Sequence, residues 1–145
     1  MGIQIKVHAG SYRSFRIPLI HAFVGWALCA ETIELGVVLT TLRNTLYIHA
    51  VLAPVIFFVV SLNYFKKYNH LSPFRTAIAF TSFIILVDFF VVGLAINRSL
   101  NMFSSMLGTW IPFALIFLST YLTGMVVNGK RSSGVSPLPK STKHA

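Results

Sequence analysis

Acidic residues are almost missing from this chain of 145, with 3 Asp and Glu against 12 Lys and Arg. Charge of either sign is scarce too, at 10% of residues, where a soluble domain carries about a quarter. Cysteine occurs once, as Cys29, which excludes an intrachain disulfide and a Cys-based redox pair. Leu28 stands where a lipoprotein signal needs a small residue, so lipidation of Cys29 is not expected. The sequence has no phosphate-binding glycine loop, zinc motif, dinucleotide fingerprint or nucleophile–base arrangement. These absences lean against a membrane enzyme or metal-binding protein, which stays a third and weaker alternative, and no cofactor is expected. Alternating ten-residue blocks are absent as well, which argues against a β-barrel.

What the chain does have is apolar surface. Hydrophobic residues make up 55%, more than a soluble fold of this length can hide. An ordinary soluble enzyme, a disordered chain and a disulfide scaffold are all excluded, leaving a small polytopic membrane protein. Four apolar runs are predicted as spans, over about 17–39, 46–65, 76–96 and 105–127. At ~1.5 Å per residue each covers roughly 30–35 Å, the thickness of the hydrocarbon core. The first run is longer than a removable signal allows, and three more follow it. The connections are short, so successive spans are expected to be antiparallel neighbours in an all-α, up-down four-helix bundle. Residues 1–16 form a basic arm. The tail over 128–145, rich in Ser, Pro and Lys, reads as disordered.

The basic residues set the orientation. Ten of the twelve fall at one end: Lys6, Arg13 and Arg16 in the arm, Lys66, Lys67 and Arg75 in the second loop, and Lys130, Arg131, Lys140 and Lys143 in the tail. Only Arg43 and Arg98 fall at the other. The positive-inside rule then places both termini in the cytoplasm. Basic residues in short loops meet lipid head groups rather than nucleic acid. Compactness suggests a prokaryotic cytoplasmic membrane.

All three acidic residues lie inside predicted spans: Glu31 and Glu34 in the first, Asp88 in the third. A carboxyl group near the bilayer centre costs on the order of 3 kcal/mol, so such groups are functional candidates by default. Rise counting puts Glu31 and Asp88 within roughly 5 Å of the midplane, on its outer side. Glu34 lies farther out, and His49 of the second span reaches a similar outer depth. Glu31 and Glu34, three residues apart, share a face. Stripes of small and polar residues should turn the other spans inward: Ala77, Thr81, Asp88 and Ala95; His49, Ala53, Ile56, Val60 and Asn63; Thr109, Ile116, Thr120 and Thr123. Glu31, Asp88, Glu34 and His49 are therefore candidates for one proton or cation site, with Thr81, Thr109 and Asn63 beside it. Pro54 and Pro112 would free the carbonyls of Ala50 and Gly108 nearby, unless Pro112 is simply a first-turn proline.

Several alternatives stand beside that site. The carboxyls serve equally as buried hydrogen-bonding groups, or as partners of Arg43 and Arg98. A di-metal site lacks its Glu-x-x-His pairs. Bis-histidine haem is disfavoured, because His21 and His49 are roughly 20 Å apart by rise counting. Gly25, Cys29, Thr32 and Gly36 form a small-residue stripe on the first span, well away from the glutamates. Such a stripe admits close helix contact, either within the chain or with a second copy or partner subunit. In layout alone, four short spans with a glutamate in the first resemble the small multidrug resistance transporters. The strong charge bias, Asp88 and the basic tail depart from that family's pattern, and the resemblance is not adopted. Two functions are expected to compete: proton- or cation-linked transport, and a non-catalytic accessory subunit of a larger membrane complex.

Overall fold

Surrounded by hydrocarbon, a backbone has to satisfy its own N–H and C=O groups, and a helix does so within one segment. The computed structural model describes residues 9–96 and 98–133, with side chains from Phe15 onward except Met102. Among the described residues it is all helix and turn, without strands. The helices are α1 (Ala9–Leu39), α2 (Leu42–Lys67), α3 (Pro73–Val87) and α4 (Ile111–Ser133). α3 runs on as a π-helical segment, Asp88–Ile96, and a π turn over Met106–Trp110 leads into α4. Four stretches, Phe15–Leu39, Leu42–Lys67, Pro73–Ile96 and Met106–Ser133, are long and apolar enough to cross a membrane.

Local chemistry sets the breaks. Thr41 caps α2, its hydroxyl accepting from the Asn44 N–H at 3.4 Å. Asn69 closes α2 with a φ of 45°, a left-handed conformation that Asn tolerates better than most residues. Ser72 then precedes Pro73, whose fixed φ suits the first turn of α3. At the other end α1 starts at Ala9, before the expected position 17, and α4 runs to Ser133, past 127. Helical hydrogen bonding does not stop where the apolar run stops, and polar residues carry these helices beyond it. Pro18 thus sits inside α1 rather than in its first turn. The rest of the expected arm and tail, residues 1–8 and 134–145, lies outside the described residues.

Successive helices alternate in direction, as expected, but their order around the bundle is not sequential. α1 packs on α2 and α3, and α4 packs on the same two helices from the other side. The order is α1, α2, α4, α3, so α2 and α3 are diagonal although only Tyr68–Ser72 links them. Gly124 shows how α4 enters between them. A Cβ there would lie 2.6 Å from Phe65 Cζ of α2 and 2.7 Å from Pro73 Cβ of α3, so only glycine lets the three helices meet. Across the diagonal, Phe80 of α3 meets Phe57 and Tyr64 of α2 edge-on, at centroid distances of 6.1 and 6.0 Å. All three rings are fully buried.

The outer surface is apolar on every helix, through residues such as Val38, Val51, Leu86 and Leu122. In water so much exposed hydrocarbon would drive association. Together with the span lengths it identifies a small membrane protein.

Candidate functional site

α1 has two chemically different faces, and the fold uses one of them. Gly25, Cys29, Thr32 and Gly36 turn toward α2. A Cβ on Gly25 would come 2.6 Å from Phe57 Cζ, and one on Gly36 would come 2.5 Å from Thr45 Cγ2. Cys29 and Thr45 are buried. The small-residue stripe is thus taken up by packing within the chain.

On that same face Thr32 Oγ1 lies 2.7 Å from the Cys29 carbonyl and 3.1 Å from His49 Nδ1 of α2. A hydroxyl has one proton. With it donated to the Cys29 carbonyl, Thr32 accepts from His49, which then carries its proton on Nδ1. His49 is buried, and the bond ties its ring to the α1–α2 seam.

Asp88 stands where α3 widens into its π-helical continuation. Its backbone N–H donates to both Ile84 O and Ile85 O, the sharing between carbonyls four and three residues back that is common at helix ends. Its carboxylate accepts from Trp26 Nε1 of α1 at 2.7 Å. Indole N–H is a donor only, so it serves the carboxyl in either protonation state. Counted from the centre of its span, Asp88 lies ~5 Å off the midplane and His49 ~8 Å, both toward the Thr40 end.

Glu31 and Glu34 do not join them. Both side chains are exposed, on the side of α1 away from the Gly25–Gly36 stripe. The expected convergence of four ionisable groups on one polar interior is therefore corrected: His49 and Asp88 face the bundle, whereas Glu31 and Glu34 face out of it. The stripe explains the difference. Its small side chains let the α2 backbone approach closely, and that contact fixes the rotation of α1 and turns the glutamates outward. Among the described residues no three His, Cys, Asp or Glu side chains are grouped so as to hold a metal ion.

The inward stripes are found in part. Thr109, Ile116, Thr120 and Thr123 of the fourth span are all buried, whereas Asn63 and Ala95 are exposed. Thr81 Oγ1 is buried without a hydrogen-bond partner. Pro112 lies in the first turn of α4, behind the π turn in which Ile111 N–H reaches Met106 O. Pro54 offers its own carbonyl to Ser119 Oγ of α4 at 2.7 Å.

Several cross-helix bonds had no counterpart in the sequence reading, among them Trp26–Asp88, Thr32–His49, Ser119–Pro54 and Ser61–Thr120 at 3.1 Å. For the first a signal existed. A Trp deep in a span, away from the interfacial belt, needs an acceptor for its N–H, and the only acids were three carboxyls. Compared with family models, curated proteins and solved structures, the chain matches none.

Proposed function

We propose that this protein is a membrane-embedded subunit that assembles with a second membrane polypeptide through the Glu31–Glu34 face of α1, with both termini in the cytoplasm. One observation carries this reading. Two carboxyls three residues apart are exposed on the outside of a helix, inside a stretch long and apolar enough to span a membrane. From the centre of that stretch Glu31 lies ~6 Å and Glu34 ~10 Å away, both within a hydrocarbon half-thickness of about 15 Å. Facing lipid, each would cost on the order of 3 kcal/mol. A partner helix carrying Lys, Arg or several hydroxyls at the same depth removes that cost. Intramembrane acids characteristically pair in this way.

The test is the native mass of the protein extracted gently from its own membrane, combined with a photocrosslinker at Leu35, which is exposed beside the glutamates. The expected particle contains a second polypeptide crosslinked at position 35, and Glu31→Leu with Glu34→Leu releases it. A particle of one chain and lipid alone overturns the proposal.

Asp88 favours a second reading, proton- or cation-linked transport. It is turned into the bundle and held by one neutral donor. Under that reading Asp88→Asn abolishes flux in reconstituted vesicles, with the protein still inserted.

A further inference from the structure

At the Lys-rich end of the bundle, α2 and α4 run side by side in the same direction and leave a cleft of about 740 Å³ between them. Pockets that hold small ligands range over about 300–1,000 Å³. The wall is apolar, formed by Phe58, Leu62, Leu122 and Val126. The hydroxyls beside it are already used: Ser119 donates to Pro54 O, and Thr123 donates to Ser119 O at 2.6 Å. The interior therefore offers hydrocarbon contact and little else.

The mouth is different. Lys66, Lys130 and Arg131 line it, and Arg131 Nη2 donates to the Lys66 carbonyl at 3.4 Å, holding the guanidinium beside the C-terminus of α2. That helix end favours cations, but nothing acidic in this chain compensates them. The three acids of the sequence are Glu31, Glu34 and Asp88, all in α1 or at the end of α3, toward the other end of the bundle. Three cations thus stand together at the rim of an apolar slot, without a carboxylate from their own chain.

We infer that this cleft binds an anionic phospholipid, with its phosphate at Lys66, Lys130 and Arg131 and an acyl chain between α2 and α4. From Lys66 to Phe58 the slot follows α2 for ~12 Å, the direction and depth an acyl chain takes from its head group. Basic pockets between spanning helices on the cytoplasmic side are sites of this kind. The inference is independent of the α1 interface, because cleft and glutamates lie on different helices and at opposite ends.

The experiment is native mass spectrometry of the full chain in detergent, titrated with dioleoyl phosphatidylglycerol or with phosphatidylcholine of the same acyl chains. The wild type is expected to retain phosphatidylglycerol preferentially. Lys66→Gln with Arg131→Gln should weaken that retention roughly tenfold or more, given the contribution of each cation near an anionic head group. Lys67→Gln serves as the control, since Lys67 lies over the Tyr68 ring, 5.5 Å from its centroid, and outside the cleft. Val126→Trp fills the slot from an exposed position and leaves every charge in place, and it too should weaken retention. Equal retention of the two lipids overturns the inference. So does an equal loss in Lys67→Gln, which would mean diffuse surface charge. Displacement by millimolar inorganic phosphate, with Val126→Trp unaffected, also overturns it, because the site would then read a free phosphate and not a lipid.

Discussion

A single methyl group at Gly25 tests the α1–α2 seam directly. In Gly25→Ala the new Cβ would sit 2.6 Å from Phe57 Cζ and 2.8 Å from Cε1. Carbon atoms rest at about 3.5–4.0 Å, so ring and helix must separate by roughly 1 Å. The ring has no room to yield. Phe57 is fully buried and meets the Phe80 ring edge-on behind it. Overpacking of this kind costs about 1–3 kcal/mol. Alanine returns about 1 kcal/mol through helix propensity, and the net expectation is a loss of about 0–2 kcal/mol, against a gain of about 1 kcal/mol where the new methyl is unopposed. Gly129 supplies the control, because a Cβ there meets nothing within 4 Å, so Gly129→Ala keeps only the propensity gain. The assay is equilibrium unfolding in mixed micelles titrated with sodium dodecyl sulfate, on both variants, on Phe57→Leu, and on Gly25→Ala with Phe57→Leu. A smaller residue at 57 opens the space, so the double variant should be more stable than the two single losses predict, by about 1 kcal/mol. Additivity within about 0.5 kcal/mol, or a Gly25→Ala as benign as Gly129→Ala, refutes the close approach and with it the reason Glu31 and Glu34 face outward.

Trp26→Phe removes the donor to the Asp88 carboxyl and should cost up to about 1.7 kcal/mol, the upper end for interhelical hydrogen bonds in membranes. The same titration should show the cost shrinking when Asp88→Leu is added, because no acceptor is then stranded. Ser61→Ala breaks the Ser61–Thr120 bond between α2 and α4; interhelical bonds in membranes average about 0.6 kcal/mol, so a small loss of that order is expected, and a loss above 2 kcal/mol would contradict it. Glu31→Leu with Glu34→Leu should leave the unfolding midpoint of the isolated chain within error of the wild type, since both side chains lie outside the bundle. A marked destabilisation would show that the glutamates serve this chain's own fold.

Much of the architecture was legible because bilayer thickness dictates span length. Four apolar runs of the right size, separated by the short links 40–45, 66–75 and 97–104, mark four helices with little ambiguity. The alternation of direction follows from the short links. The order around the bundle was not legible, since a five-residue link joins diagonal helices as readily as adjacent ones when a glycine such as Gly124 lets a third helix come between their ends. The π-helical widening at Asp88 was hidden as well, as nothing in the run from Asp88 to Ile96 differs in composition from an ordinary apolar helix.

The site was harder to read than the fold for a reason that belongs to the solvent. In water a burial pattern sorts polar from apolar faces, and a carboxyl opposite a packed stripe is simply wet. In lipid both sides of a helix are apolar, so burial is marked by small residues and paired hydroxyls: Gly25, Thr32 and Gly36 on α1, Ser61 and Thr120 between α2 and α4. Read with that rule, the rotation of α1 follows from the stripe alone, and the glutamates must face away from α2. Depth made Glu31 and Asp88 look equivalent in the sequence, although one has an indole partner inside the bundle and the other has its face open. Two carboxyls that the fold leaves exposed make no contact within it, and the proposed subunit reading accounts for them by a helix of a second polypeptide beside α1. On the subunit reading Asp88 and the Glu31–Glu34 pair should separate under neutralisation: Asp88→Asn should change the stability of the isolated bundle through its Trp26 contact, whereas the double glutamate substitution should release the second polypeptide and leave that stability unchanged.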